Sequence, residues 1–170
     1  LVAKEKELSK EKEPSYGFLY KKRTIGKNED IIYIYKFRTM YPYSEYVHDY
    51  MVENFGYNEK GKPADDFRIT DWGKFMRKFW IDELPQLINV LKGEMKLVGI
   101  RPVTETFHNE FSEDLRDLRT RHKPGLIPAY VSLLMQSKDG FIDAEMTYLL
   151  EKKKHPYGTD VKYLIKGVYN

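Results

Sequence analysis

Asp82 and Glu83 are adjacent carboxylates that open the segment Asp82-Glu83-Leu84-Pro85-Gln86-Leu87-Ile88-Asn89-Val90-Leu91-Lys92-Gly93. Pro85 suits the first turn of a helix, and Gly93 suits the residue just past its end. Leu84, Leu87, Ile88 and Leu91 recur at the i, i+3, i+4, i+7 spacing of one buried face. The pair therefore falls at the amino end of a helix, where free N–H groups and the dipole favour negative charge. An aspartate kept ionised there can serve as a nucleophile. A second carboxylate beside it can hold Mg²⁺ or share in proton transfer. Plain capping uses the same residues, because Asp before a helix and Glu in its first turn are routine.

Cations bear on the choice between those readings. Lys36 and Arg38 are two apart in a β-prone run and share a strand face, with Tyr35 and Phe37 on the other. Arg77 precedes Asp82 by five positions, and Arg101 closes Leu97-Val98-Gly99-Ile100-Arg101-Pro102. Guanidinium forks match phosphate oxygens, and cations grouped beside a metal-binding carboxylate suit phosphoryl chemistry. The other reading is a solvated basic face, and spacing does not say whether the four converge.

The bulk composition bounds these readings. With 29 Lys+Arg against 26 Asp+Glu, the net charge of +3 does not call for nucleic acid or membrane on its own. No cysteine is present, which excludes disulfides and thiolate metal sites. The 14 tyrosines exceed what a core needs and suit wet interfaces as well as structure. The most apolar window, Leu126 to Met135, is too short to span a bilayer and is interrupted by Pro128. The chain begins at Leu1 rather than Met, which reads as a fragment.

Several elements must position the chemistry. Residues 1–15 are Lys/Glu-rich and read as a charged linker or helix, and 16–170 as the working domain. FLYKKRTI and IIYIYKFR flank Gly26-Lys27-Asn28-Glu29-Asp30 as the two strands of a hairpin. Residues 41–65 predict a helix and then a loop, turning at Gly61-Lys62-Pro63. Trp72 to Trp80 predicts a short helix carrying Lys74, Arg77 and Lys78. Thr104 to Arg121 predicts one amphipathic helix, followed by the turn Lys123-Pro124-Gly125, irregular apolar chain and two further short helices. In the last of these, Tyr163, Leu164, Ile165, Val168 and Tyr169 alternate with Lys162 and Lys166, as in a helix resting on headgroups or an ordinary surface helix. The fold class is α+β: a small antiparallel hairpin packed with short and amphipathic helices, the one after Asp82 in the core.

Tyr35-Lys36-Phe37-Arg38-Thr39-Met40, Asp82-Glu83-Leu84-Pro85-Gln86-Leu87, Asn89-Val90-Leu91-Lys92-Gly93-Glu94-Met95 and Leu97-Val98-Gly99-Ile100-Arg101-Pro102 together resemble the successive signatures of the bacterial sugar transferases. These are monotopic polyprenyl-phosphate phosphoglycosyl transferases. Arg23 to Asn28, Asp66 to Thr70 and Lys123 to Leu126 resemble further family stretches.

The resemblance implies an enzyme that moves a sugar-1-phosphate from a UDP-sugar to undecaprenyl phosphate, starting a bacterial surface glycan such as exopolysaccharide, capsule or O-antigen. It implies Asp82 as nucleophile, releasing UMP and carrying a phospho-sugar until the lipid phosphate attacks. It implies Mg²⁺ as cofactor, with Glu83 and Asp82 as its protein ligands, and Lys36, Arg38, Arg77 and Arg101 as phosphate-binding residues. A membrane surface would be a partner and nucleic acid would not, with the work done at the cytoplasmic face of the bacterial inner membrane.

Two departures stand out. Family members carry an apolar helix before the hairpin that dips into the bilayer, and the Lys/Glu-rich start of this chain cannot be that helix. After Lys123-Pro124-Gly125-Leu126 many members continue Thr-Gly and a Trp-Gln pair, where this chain has Ile127-Pro128-Ala129-Tyr130. The rival readings are a non-catalytic module that binds phosphate ligands or nucleic acid, and a scaffold that has lost its activity.

Overall fold

The computed structural model describes residues 17–44, 46–56, 66–135 and 137–169. The charged linker and the loop after residue 56 lie outside them.

Strand β1 (Leu19–Ile25) pairs antiparallel with β2 (Ile31–Phe37), in a register that sets Tyr20 opposite Lys36 and Lys22 opposite Ile34. Side chains alternate, so Lys22, Thr24, Ile34 and Lys36 share the inward face. Ile34 and Thr24 are buried there. The connection turns through Asn28 and Glu29, both at positive φ (55° and 63°). The expected hairpin is present.

Helix α1 (His48–Phe55) is followed by α2 (Asp71–Lys78), whose start is capped where the Thr70 hydroxyl accepts from the Gly73 N–H at 2.9 Å. A Cβ at Gly73 would lie 2.0 Å from the Thr39 carbonyl oxygen, so only glycine lets α2 lie this close to the chain leaving β2. A 3-10 turn (Ile81–Gln86) and the short helix α3 (Leu87–Leu91) come next.

Here the sequence reading is corrected. Leu84, Leu87, Ile88 and Leu91 do share a face, but it is the outer one, and Leu91 is 88% exposed. Pro85, Gln86 and Asn89 are buried instead. The cause is the buried Asn89 side chain, which accepts from the Tyr35 N–H (3.1 Å) and donates to the Tyr33 carbonyl (2.8 Å). It supplies the partners that the outer edge of β2 lacks, and so turns the opposite face of α3 outward.

A second sheet was not expected. Strand β3 (Lys96–Gly99) runs parallel to β4 (Gly125–Pro128), with Val98 opposite Ile127. A Cβ at Gly125 would sit 2.1 Å from the Gly99 nitrogen, which explains the glycine at that crossing. The connection holds α4 (Glu105–Asn109) and α5 (Glu113–Thr120) rather than one helix over 104–121. Extended backbone at Ser112 (φ −60°, ψ 153°) restarts the chain, and Glu113 and Asp114 fit the new first turn. After β4 come α6 (Ala129–Ser132), α7 (Lys138–Lys154) and α8 (Gly158–Tyr169). At 17 residues α7 is not short; Ser137 caps it through the Gly140 N–H.

The core lies on this second half. Val98, Ile100, Val103, Phe111, Leu115, Ala129, Phe141, Tyr148, Leu149 and Tyr163 form one buried cluster. Burying a side chain of this size contributes about 1.5–3 kcal/mol. The hairpin is tied to it by the Ile25 N–H donating to the Val103 carbonyl at 2.9 Å. Tyr163 of α8 is inside, while Ile165, Val168 and Tyr169 face out. Among the described residues no helix is long and apolar enough to cross a membrane.

Candidate active site

The 3-10 turn carrying Asp82 and Glu83 packs against β2 and α2. Trp80, just before it, has φ 60° and ψ 15°, a left-handed conformation costly for a bulky residue. That kink ends the run of α2 and swings the next two carboxylates back over the hairpin. The pair thus opens a tight turn rather than an α-helix, and charge compensation comes mainly from side chains.

Lys36 supplies the closest of it. Its Nζ donates to Glu83 Oε1 at 2.6 Å, and both side chains retain about a quarter of their exposure (24% and 25%). Gln86 donates through Nε2 to Glu83 Oε2 at 3.0 Å, so both oxygens are held. Burial works to raise the Glu83 pKa, but the Lys36 charge and hydrogen bond, Arg101 and Gln86 outweigh it and hold the carboxyl below its ordinary value.

Asp82 is set deeper, only 8% exposed, whereas the sequence reading needs it open to an incoming phosphorus. Burial pushes its carboxyl above the ordinary aspartate value; Lys36 pulls it back, the Glu83 charge raises it and Arg77 lowers it. The two neighbouring carboxylates are therefore driven apart, Glu83 to the acid side and Asp82 to the less acidic side. Among the described residues no side chain hydrogen-bonds Asp82; its own backbone N–H does.

Lys36 contacts the pair directly, and Arg77 and Arg101 act on it through their charge. Arg77, on α2, acts on Asp82 while its Nε donates to Thr39 Oγ1 at 2.9 Å. Arg101, just past β3, acts on Glu83 and hydrogen-bonds the Tyr130 hydroxyl. Arg38 is turned toward the outer end of the hairpin, where Nε donates to the Gly17 carbonyl at 2.8 Å and the guanidinium covers the Tyr20 ring.

Sequence reasoning missed Lys22. It occupies the inward face of β1, a diagonal neighbour of Lys36. Burial first, then the Lys36 and Arg101 charges, lower its ammonium to about 8, with Glu83 opposing. The signal that could have found it is the alternation within Tyr20-Lys21-Lys22, counted back from the hairpin turn.

The donor set fits a sparse magnesium site. Among the described residues no group of three His, Cys, Asp or Glu comes together. Mg²⁺ commonly takes one or two carboxylates and keeps its waters. Each Glu83 oxygen carries one hydrogen bond and retains a lone pair, and the Asp82 oxygens are free of side-chain donors.

The chain on either side of the carboxylate pair carries many exposed apolar side chains, here called the ledge. Trp72, Phe75 and Phe79 stack along α2 (ring centroids 6.1 and 5.0 Å apart) and are exposed. Trp80, Leu84, Leu87, Ile88 and Leu91 continue the run, also exposed. So much apolar surface on one stretch marks a surface meant to be covered.

Fold and site define a small α+β protein that gathers two carboxylates among lysine and arginine side chains, a setting suited to phosphate esters. The chain belongs to the bacterial sugar transferase family, whose model matches residues 8–169. It is 41% identical over 109 residues to a galactosyl transferase, CpsE, of Streptococcus agalactiae serotype III, covering 64% of this chain and 24% of that protein. It is 38% identical over 110 residues to a UDP-N-acetylgalactosamine-undecaprenyl-phosphate N-acetylgalactosaminephosphotransferase of Aeromonas hydrophila, covering 64% and 24%. To the exopolysaccharide production protein ExoY of Sinorhizobium fredii it is 37% identical over 115 residues, covering 65% and 50%. The matched stretch thus spans between a quarter and a half of the length of these relatives.

Proposed function

We propose that this chain catalyses transfer of a sugar-1-phosphate from a UDP-sugar to undecaprenyl phosphate. The observation that carries this reading is the Lys36–Glu83 contact, with the charges of Arg77 and Arg101, from two other parts of the fold, also acting on the Asp82-Glu83 pair. The relatives' names, which include UDP-sugar and undecaprenyl-phosphate transferases, support it.

Asp82 acts as the nucleophile. One of its oxygens bonds to the β-phosphorus of the donor, the bond from that phosphorus to the bridging oxygen breaks, and UMP departs with the bridging oxygen. The phospho-sugar is then held as an aspartyl ester. An oxygen of undecaprenyl phosphate attacks the same phosphorus, the ester bond breaks, and Asp82 is regenerated as undecaprenyl diphosphate sugar leaves. Two displacements through a covalent ester replace one between two anionic phosphates. The 8% exposure of Asp82 keeps water from the ester, and it requires the donor to gain access to this side chain before attack.

Lys36, Arg77 and Arg101 neutralise the donor diphosphate and orient it. Glu83, fixed by Lys36 and Gln86, and Asp82 would hold Mg²⁺, which supplies charge neutralisation of the diphosphate. The ledge of Trp72, Phe75, Phe79, Leu84, Leu87, Ile88 and Leu91 rests on the membrane, bringing the carboxylate pair to the height of lipid phosphates. The reaction then belongs at the cytoplasmic face of the bacterial inner membrane, at the first step of a surface glycan.

UMP release from UDP-sugars in the presence of undecaprenyl phosphate tests the reading. Asp82→Asn is expected to abolish it, because an amide forms no such ester, and Glu83→Gln to depress it by roughly 10²-fold or more. An undiminished rate in purified Asp82→Asn refutes the assigned nucleophile.

A further inference from the structure

Arg101 lies in a short extended stretch between β3 and the bridge residue Val103, followed by Pro102. Both of its main-chain groups are nevertheless bonded, and by charged partners. Its N–H donates to Glu145 Oε1 at 2.6 Å, and its carbonyl accepts from an Arg119 terminal nitrogen at 2.7 Å. Glu145 comes from α7 and Arg119 from α5, and the other oxygen of Glu145 pairs with the other terminal nitrogen of Arg119. The result is a closed ring of three contacts around one residue. Both side chains are buried, Glu145 at 0% and Arg119 at 3% exposure.

Burying an ion pair is expensive, and an apolar pair of like size would often serve stability as well or better. Main-chain satisfaction alone needs only neutral partners. What a charged pair adds is short, directional bonds on both faces of a single residue. The far end of Arg101 is held as well: its guanidinium hydrogen-bonds the Tyr130 hydroxyl and lies 5.0 Å from the centre of that ring. Tyr130 sits in α6, and the Glu83 charge acts on its hydroxyl, so it lies within electrostatic range of the site.

We propose that Tyr130 and the buried Glu145–Arg119 pair are positioning residues that brace Arg101 at both ends, making it a preformed fork for the donor's diphosphate. This rests on the transferase reading for the identity of the ligand. A fork held in place loses little side-chain entropy when phosphate arrives, and that saving appears as affinity.

The test is calorimetric titration of the whole protein with UDP and Mg²⁺, which needs no turnover. Tyr130→Phe keeps the ring and removes the hydroxyl; it is expected to weaken UDP binding about fivefold at an unchanged melting temperature. Arg101→Lys is expected to weaken binding at least tenfold. In the Arg101→Lys background, Tyr130→Phe is expected to cost less than a further twofold, because its effect runs through Arg101. Glu145→Gln keeps an acceptor for the Arg101 N–H and serves as a third variant if it folds. Undiminished affinity in Tyr130→Phe, losses that multiply in the double variant, or no UDP binding by the unaltered protein would each overturn the brace. Tight UDP binding without UMP release from any UDP-sugar would instead sink the transferase reading and leave the brace standing.

Discussion

Lys36 Nζ and Glu83 Oε1 meet at 2.6 Å, joining the inward face of a hairpin strand to a turn 47 residues further along the chain. This pair sets the electrostatics of the site, because Lys36 is also the leading cation acting on Asp82. Its placement depends on Asn89, which pins the chain following the turn to the edge of the same strand.

Activity is expected to have an acid limb governed by Asp82, since a protonated carboxyl has no charged oxygen with which to attack. Burial raises this carboxyl, so the limb lies above the range of an ordinary aspartate. Lys36→Gln removes the main force lowering it, which moves the limb to higher pH and costs roughly 10²-fold in kcat/KM. A pH profile of kcat/KM for both proteins checks this; a limb that stays put would contradict it.

Lys22 trades stability for charge. Its folded pKa is about 8 against 10.5 for a free lysine, so between those values the unfolded chain binds more protons. Stability contributed at this site therefore rises with pH across that window, and the cost is fully present below about 8. Lys22→Met is expected to stabilise the fold by about 1 kcal/mol at pH 7 and to flatten the pH dependence above 8. It should also weaken UDP binding about fivefold, through loss of one phosphate-facing cation. Urea titrations at several pH values, with nucleotide titration alongside, check both halves.

The ledge should bind lipid. Leu87→Glu with Leu91→Glu places two carboxylates on the outer face of α3, and is expected to reduce co-sedimentation with anionic vesicles by roughly tenfold or more. Melting should be unaffected, since these side chains already face outward. Equal sedimentation would show that something other than a membrane covers this face.

The hairpin was legible because two β-prone runs flank a turn-forming segment, and α2 because its residues share a face between clear boundaries. The outward face of α3 was not. Periodicity reports which side chains share a face, and Leu84, Leu87, Ile88 and Leu91 do; it does not report what that face meets. Only Asn89, whose amide matches the edge of β2, decides that, and nothing local marks it. Strands β3 and β4 have four residues each, too few to show an alternation. In the site, the Asp-Glu pair, Lys36, Arg77 and Arg101 were readable from type and motif. Lys22 and Tyr130 enter through strand register and long-range packing, and Glu145 and Arg119 through a pairing across 26 positions that spacing cannot foretell.

The most direct measurement is intact mass spectrometry of the protein mixed with individual UDP-sugars and Mg²⁺, without acceptor lipid. One phospho-sugar is expected to be added per chain with the cognate donor, mapped to Asp82 by fragmentation and absent from Asp82→Asn. One UMP released per chain with no adduct under rapid quench, or an adduct that survives the substitution, would contradict Asp82 as the nucleophile.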